Sequence, residues 1–194
     1  MKKLFFLPLL AVLAMAATNP LPNNVDVTAS NIVWTGYKVT GKHTGTIKVK
    51  SGTVQFTNGQ LSGGAFEVDM NSITCTDQEG EWAAKLVGHL KSDDFFGVSK
   101  FPTSKFVITR VIPQDTKGNY KIIGNLTIKE TTKEVKFLAN LAETANGTVT
   151  ATGKLTIDRS EFNVRYGSGS FFDGLGDKTI YDEFDLGITL VAKK

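Results

Sequence analysis

The stretch TVTATGKLTID, residues 148–158, decides the fold class because small or apolar residues alternate with polar ones along its whole length. The odd-numbered positions run from Val149 to Ile157, whereas the even-numbered positions carry threonine, lysine or aspartate. A period of two places successive side chains on opposite faces of a β-strand. The stretch therefore predicts a strand with one buried face and one exposed face.

The same alternation recurs on both sides of this stretch. It is found in residues 47–50, 66–70, 121–129, 134–141 and 184–190. Further strands are expected near residues 32–39, 54 and 106–112, which makes roughly eight or nine strands in total. The turn signals between them, such as Asn58-Gly59, are short and imply antiparallel neighbours. Many strands with one apolar face must close into a barrel or pair as two sheets.

Two segments break the alternation. In residues 79–91 the apolar stripe follows helical spacing and consists of Trp82, Ala83, Leu86, His89 and Leu90. An aromatic, turn-rich segment follows this predicted helix, and a second glycine- and aromatic-rich segment spans residues 159–181. Because connecting segments are usually polar, these aromatic residues need an explanation beyond ordinary core packing. We expect the helix and both segments to cover one end of a barrel.

The first residues have the pattern of a secretory signal peptide. Lys2 and Lys3 precede an apolar run, and Ala14-Met15-Ala16 has the form of a cleavage site. We therefore divide the chain into a signal peptide (1–16), a short stub (17–29) and one barrel domain (30–194), and expect a periplasmic or secreted protein. Loss of the two lysines lowers the formal charge from +3 to +1, which gives no electrostatic case for binding nucleic acid.

Few residues could carry catalytic chemistry. The only histidines are His43 and His89, and their positions match no metal-binding or nucleophile–base motif. Cys75 is the only cysteine, so no intramolecular disulfide is possible; it is either a small packed side chain, a reactive thiol or one half of an intermolecular bridge. Asp158 and Arg159 close a strand, where an ordinary ion pair is the simplest interpretation.

Five stretches resemble one family. They are VWTGYKVTGKHTGTI, LSGGAFEVDMNSI, KLVGHLKSDDFFGVSKFPTSKF, IIGNLTIKETTKEV and LTIDRSEFNVRYGSG, which together cover the chain from about Ser30 onward. They are similar to the bacterial YceI-like proteins, the polyisoprenoid-binding family. The resemblance implies an all-β, lipocalin-like, antiparallel eight-stranded β-barrel with one inserted helix and a capping loop. It also implies a periplasmic or secreted binding protein, often dimeric, that has an elongated apolar tunnel.

The resemblance and the apolar pattern together predict a ligand rather than a reaction. We expect a long-chain polyisoprenoid, such as an isoprenoid quinone, with no required cofactor, no metal site, no nucleic-acid partner, no stable membrane insertion and a possible homodimer. The candidate lining residues are Trp34, Tyr37, His43, Phe66, Leu86, His89, Leu90, Phe95, Phe106, Phe137, Phe162 and Phe172. His43 and His89 are the candidate contacts to a head group.

Two alternatives stay open from the sequence. The first is a lipid-modifying or metal-dependent enzyme that uses His43 and His89. The second is a structural or interaction barrel whose interior is filled by side chains, since a filled barrel and a hollow barrel require the same alternation.

Overall fold

The computed structural model describes residues 22–194, so the predicted signal peptide lies outside the described residues. Within these residues, nine strands and one α-helix follow each other. They are β1 (Pro22–Asn24), β2 (Asn31–Lys38), β3 (Gly41–Thr57), β4 (Gln60–Asp69), α1 (Gly80–Lys91), β5 (Thr103–Pro113), β6 (Asn119–Ile128), β7 (Thr131–Glu143), β8 (Thr148–Asp158) and β9 (Ile180–Lys193). Short 3-10 turns occupy Met70–Ser72, Arg159–Phe162 and Gly176–Lys178.

Strands β2 to β9 form a closed antiparallel barrel. The strand order around it is β3-β2-β9-β8-β7-β6-β5-β4, and β4 pairs again with β3 to complete the ring. The 17-residue strand β3 makes closure possible because its two halves pair with different neighbours. Residues 41–47 pair with β2, where Ile47 lies opposite Ile32, and residues 48–57 pair with β4, where Val49 lies opposite Val68. The predicted eight-stranded barrel with one inserted helix is confirmed.

The N-terminal segment contributes more than a stub. Strand β1, at residues 22–24, pairs with residues 53–55 of β3 outside the ring. Val25 is buried in the core, and its N–H donates to the Gly52 carbonyl at 2.9 Å. Residues 22–25, which were predicted to belong to the stub, are therefore attached to the barrel.

The alternation predicted for residues 148–158 is present in β8. Val149, Leu155 and Ile157 are buried, whereas Lys154 is exposed. Tight turns between the strands keep this register. The predicted Asn58-Gly59 turn joins β3 to β4 with φ angles of 51° and 80°, values that asparagine and glycine tolerate better than other residues.

One end of the barrel, here called the helix end, carries the cover. It consists of α1, the aromatic segment 92–102 and the irregular segment 159–179. The segments contact each other directly: the His89 ring centroid lies 4.3 Å from that of Tyr166, and Lys129 Nζ donates to the carbonyls of both Phe95 and Asn163 at 3.2 Å. The expectation that both irregular segments fold over the same opening is confirmed. The opposite end, with the β3–β4, β5–β6 and β7–β8 turns, is called the far end.

The helix end also has a gap in its strand pairing. Strands β7 and β8 pair only through residues 139–143 and 149–153, toward the far end. Residues 131–138 and 154–158 diverge toward the helix end, and the 3-10 turn Arg159–Phe162 packs against β7 there. Phe162, at 1% exposure, joins Leu155 and Ile157 in a compact core cluster beside this divergence.

Candidate functional site

The barrel interior contains two cavities with almost entirely apolar walls. The helix-end cavity has a volume of about 190 Å³, and the far-end cavity has a volume of about 130 Å³. The two cavities meet at a waist, because four residues line both of them: Ile32, Val68, Leu126 and Leu186. The interior is therefore hollow at both ends of the barrel.

Ten of the twelve predicted lining residues lie in the walls of these cavities. Those in the helix-end cavity are Trp34, Tyr37, His43, Leu86, His89, Leu90 and Phe95. Those in the far-end cavity are Phe66, Phe106 and Phe137. Phe66 and Phe137 both contact Phe106, with ring centroids 6.4 Å and 5.8 Å from it, so the three rings form one aromatic side of the far-end cavity.

The other two predicted residues lie elsewhere. Phe162 is buried in the core cluster beside β7 and β8 and lines neither cavity. Phe172 is half exposed, in the loop that precedes β9, and also lines neither cavity. Both were predicted because aromatic residues in an irregular segment suggested a cover, but one fills the core and the other faces solvent.

The predicted apolar stripe of α1 faces the cavity only in the C-terminal half of the helix. Leu86, His89 and Leu90 project into the helix-end cavity, whereas Trp82 is 72% exposed and contacts the Lys85 ammonium at 5.3 Å. No residue of α1 is buried. The C-terminal half of the helix therefore closes the cavity, and its N-terminal half extends over solvent.

A glycine in β3 allows the wall near α1 to pack closely. A Cβ at Gly45 would lie 1.9 Å from the Thr74 carbonyl oxygen and 2.6 Å from the Trp34 ring. The loop after the first 3-10 turn can therefore lie on β3, where the Trp34 indole N–H donates to Thr74 O at 3.0 Å. This contact holds the Trp34 ring against the cavity.

His43 is held at the edge of the cavity by the same loop. Its Nδ1 lies 2.9 Å from Asp77 Oδ2, and the Thr44 N–H and the Cys75 thiol both donate to Asp77 Oδ1. Burial raises the pKa of Asp77, but the hydrogen bonds from Thr44, His43 and Cys75 outweigh it and hold the pKa at about 2. Burial, followed by the bond to Asp77, raises the pKa of Cys75, so the thiol is protonated at neutral pH.

His89 has a different environment. Its ring packs edge-on against Phe95 and Tyr166, with centroid distances of 5.7 Å and 4.3 Å. No hydrogen bond from its ring nitrogens is found within residues 22–194. In the described part of the chain, no group of three histidine, cysteine or carboxylate side chains has the arrangement of a metal site.

Arg159 is the main site residue that sequence reasoning missed. It is 2% exposed, lines the helix-end cavity and donates to the carbonyls of Val164, Ile180 and Tyr181 at 2.9–3.2 Å. Its ion-pair partner is Asp182, with Nη2 to Oδ1 at 3.2 Å, and not the neighbouring Asp158, whose side chain accepts from the Ser160 N–H. Burial lowers the pKa of Arg159, while Asp182 and Asp158 oppose that shift.

An outer groove of about 490 Å³ lies on the other side of the cavity wall. Tyr37 and Tyr181 line both the groove and the helix-end cavity, and the groove also contains Asp182, Glu183 and Asp185. A β-bulge causes this arrangement: Gly36 pairs with Phe184 and Lys38 with Ile180, which leaves three residues of β9 opposite Tyr37. Because carboxylates line the groove, we place an apolar ligand in the two inner cavities.

Tyr37 is anchored across this wall. Its hydroxyl donates to Asp185 Oδ2 at 2.8 Å, a bond that raises the pKa of Tyr37 together with burial. Hydrogen bonds from Thr156, Lys154 and Tyr37 hold the pKa of Asp185 at about 2.

The family model for the YceI-like domain matches residues 24–192, nearly the whole described chain. The chain belongs to the YceI-like domain family. A curated relative, the UPF0312 protein of Shewanella denitrificans, is 34% identical over 89 residues, which is 46% of this chain and 44% of that protein. The matched region therefore spans less than half the length of the curated relative.

Solved structures share the fold of this YceI-like domain. Burkholderia cenocepacia BcnA has a TM-score of 0.71 at 24% identity, covering 87% of this chain and 99% of its own. A polyisoprenoid binding domain from Saccharophagus degradans has a TM-score of 0.64 at 12% identity, covering 88% and 97%. The Campylobacter jejuni YCEI protein has a TM-score of 0.58 at 19% identity, covering 74% and 80%.

The YceI-like domain is thus a hollow barrel with an apolar interior. Its geometry suits an apolar ligand that is longer than it is wide. Within residues 22–194, no helix has the length and the apolar character that crossing a membrane requires.

Proposed function

We propose that this protein binds one long-chain polyisoprenoid, or a similar apolar lipid such as an isoprenoid quinone, with its chain extended through both cavities. The observation that carries the proposal is the pair of apolar cavities that meet at the waist. The solved polyisoprenoid binding domain with the same fold supports the choice of ligand class.

Burial of the ligand's apolar surface supplies the driving force for binding. Each methylene removed from water contributes about 0.8 kcal/mol, so an isoprenoid of many carbons has a large gross driving force. Chain ordering and association offset much of it, so measured affinity saturates well below the gross sum. Such a ligand needs dry, smooth walls more than hydrogen bonds. The aromatic rings of Phe66, Phe106 and Phe137 and the aliphatic side chains of α1 supply those walls.

We further propose that the protein acts as an exported carrier or store rather than as an enzyme. The positively charged start and the apolar run of residues 1–16 support export. An isoprenoid lipid is insoluble in an aqueous compartment between two membranes, and a closed barrel would shield its chain there. The possible homodimer belongs to this proposal as well, and sedimentation of the purified protein would test it.

The test is the lipid content of the protein purified from cells. We expect mass spectrometry of an organic extract to find an isoprenoid at near-equal molar amount. We also expect delipidated protein to melt at a higher temperature when a quinone with a geranylgeranyl tail is added, because a ligand that binds only the folded state stabilises it. An extract without lipid, together with an unchanged melting temperature, would contradict the proposal.

A further inference from the structure

The helix-end cavity differs from the far-end cavity in having polar groups in its wall. Three of them are already engaged by the protein: Tyr37 with Asp185, His43 with Asp77, and Arg159 with Asp182 and three carbonyls.

The side chains of Lys38, Tyr181 and His89 also line the cavity and have no hydrogen-bond partner within residues 22–194. Lys38 lies at the end of β2, and Tyr181 is 51% exposed and lines the outer groove as well. The His89 ring, in contrast, is held edge-on against Phe95 and Tyr166 on the helix that closes the cavity. A neutral imidazole always retains one N–H donor.

The charges around this cavity do not favour an anion. The cations that line it or pair beside it are Lys38, Lys154 and Arg159, and the carboxylates that pair with its wall are Asp77, Asp182 and Asp185. Two of the three cations are in ion pairs with these carboxylates. Two of these carboxylates, Asp182 and Asp185, line the outer groove behind Tyr37 and Tyr181, where Glu183 adds a further negative charge. A phosphate group that entered the helix-end cavity would lose its hydration without meeting a net positive field.

We propose that the helix-end cavity holds the head group of the lipid, and that the head group is uncharged and accepts a hydrogen bond from His89. A quinone carbonyl or an alcohol oxygen has this chemistry, and a phosphate or diphosphate does not fit it. This inference rests on the proposed function, since it concerns one end of the same ligand. The hydrocarbon tail then extends past the waist into the far-end cavity.

Three ligands with matched twenty-carbon tails test the head-group preference. They are a quinone with a geranylgeranyl tail, geranylgeranyl phosphate and a hydrocarbon of the same length without a head group. With the delipidated full-length mature protein, we expect the quinone to bind tightest and the phosphate at least about tenfold more weakly, since like charges oppose its entry. If none of the three binds, the proposed function itself fails. If the phosphate binds as tightly as the quinone or more tightly, only the head-group inference fails.

Variants of His89 test the donor. His89→Phe keeps a ring in place but removes the N–H, so we expect the quinone to lose about threefold to tenfold in affinity and the hydrocarbon to be unaffected. His89→Gln restores an N–H donor and should recover part of the loss. Trp82→Phe, on the exposed half of α1, is the matched control. If His89→Phe lost the same affinity for the quinone and for the hydrocarbon, His89 would have only a packing role. That result would overturn its assignment as the hydrogen-bond donor to the head group.

A charge reversal tests whether the negative charge of the outer groove disfavours a phosphate head group. Glu183 lines the outer groove and makes no ion pair within residues 22–194. Glu183→Lys should therefore reduce the ratio of quinone affinity to phosphate affinity by about threefold or more. Glu143→Lys is the control, because it makes the same change of charge at the far end and breaks only an exposed pair with Lys194. It should leave the ratio of the two affinities unchanged. An equal effect of both variants would contradict a local role for the groove.

Discussion

The two halves of the barrel interior are built from different interactions. The far-end cavity is formed by side chains that project inward from strands by simple alternation, including the stacked rings of Phe66 and Phe106. The helix-end cavity is formed by a helix, two irregular segments and a buried Arg159, held by hydrogen bonds to backbone carbonyls and by an ion pair. Strand alternation alone is therefore enough to line the far-end cavity, whereas the helix-end cavity depends on irregular structure.

The largest expected effect concerns stability at the helix end. Arg159→Met leaves the Asp182 carboxylate without its cation and three carbonyls without their donor, so we expect a loss of about 3–5 kcal/mol in the free energy of unfolding. Urea unfolding of purified protein measures it. The double variant Arg159→Met/Asp182→Asn removes the unpaired charge and should recover about 1–2 kcal/mol. A loss below about 1 kcal/mol would mean that the ion pair does not hold the cover.

The second prediction concerns the far end. Ala139 is buried and lines the far-end cavity, whereas its neighbour Leu138 is exposed on the outer face. Ala139→Phe adds six ring carbons to the far-end cavity. Displacing about two methylenes of a long isoprenoid from the cavity should weaken its binding roughly tenfold. A short isoprenoid, which fills only the helix-end cavity, should bind as before. Leu138→Phe is the control and should change neither affinity; equal weakening of long and short ligands by Ala139→Phe would contradict the division of the interior.

The third prediction concerns acid stability of the wall between cavity and groove. The folded-state pKa of Asp185, at about 2, lies below its ordinary value of 3.8 because Thr156, Lys154 and Tyr37 donate to the carboxylate. The contribution of the ionised Asp185 carboxylate to the free energy of unfolding is therefore fully present above about pH 4 and is lost as the pH falls through 2. With allowance for partial exposure, we expect Asp185→Asn to be about 1 kcal/mol less stable than the parent at pH 7, and most of that difference to be lost by pH 2.

Chemical denaturation at several pH values measures this difference. Asp173→Asn changes an exposed carboxylate that makes no ion pair in the described part of the chain, and it should follow the parent at every pH. A constant difference between parent and Asp185→Asn from pH 7 to pH 2 would show that the ionised carboxylate is not the stabilising group.

The smallest expected effect concerns the two halves of α1. Trp82→Ala removes a ring that is mostly in solvent, so we expect less than about 0.5 kcal/mol of lost stability and no change in ligand affinity. Leu86→Ala, one turn further along, removes part of the cavity wall and should weaken ligand binding about threefold to tenfold. If Trp82→Ala weakens binding as much as Leu86→Ala does, the exposed half of the helix also contacts the ligand.

The difference between the two ends also explains what could be predicted from the sequence. Alternation in residues 148–158 identifies inward positions such as Val149 and Leu155, so most of the strands could be predicted. The stretches at 47–50 and near 54, predicted as separate strands, belong to the single strand β3, and β1 was not predicted. Alternation does not show whether inward side chains meet in the middle, because that depends on the barrel radius and on β3 pairing with two neighbours. The hollow interior therefore had to be observed in the structure.

The irregular segments were harder to interpret. Phe95 and Phe162 are both aromatic residues in non-strand segments, yet one lines the cavity and the other fills the core where β7 and β8 diverge. No local pattern separates them, since the divergence is a property of strand pairing far from either residue. Arg159 was missed for a related reason: its partner Asp182 lies 23 positions away, across a loop whose path the sequence does not indicate.

A series of quinones with one head group and increasing tail length tests most directly the claim that one ligand chain occupies both cavities. We predict that affinity for the delipidated protein rises with each added isoprene unit beyond the length that fills the helix-end cavity, and levels off only when the far-end cavity is also full. Affinity that stops rising once the tail fills the helix-end cavity alone would contradict the claim, because it would show that the waist is closed to the ligand.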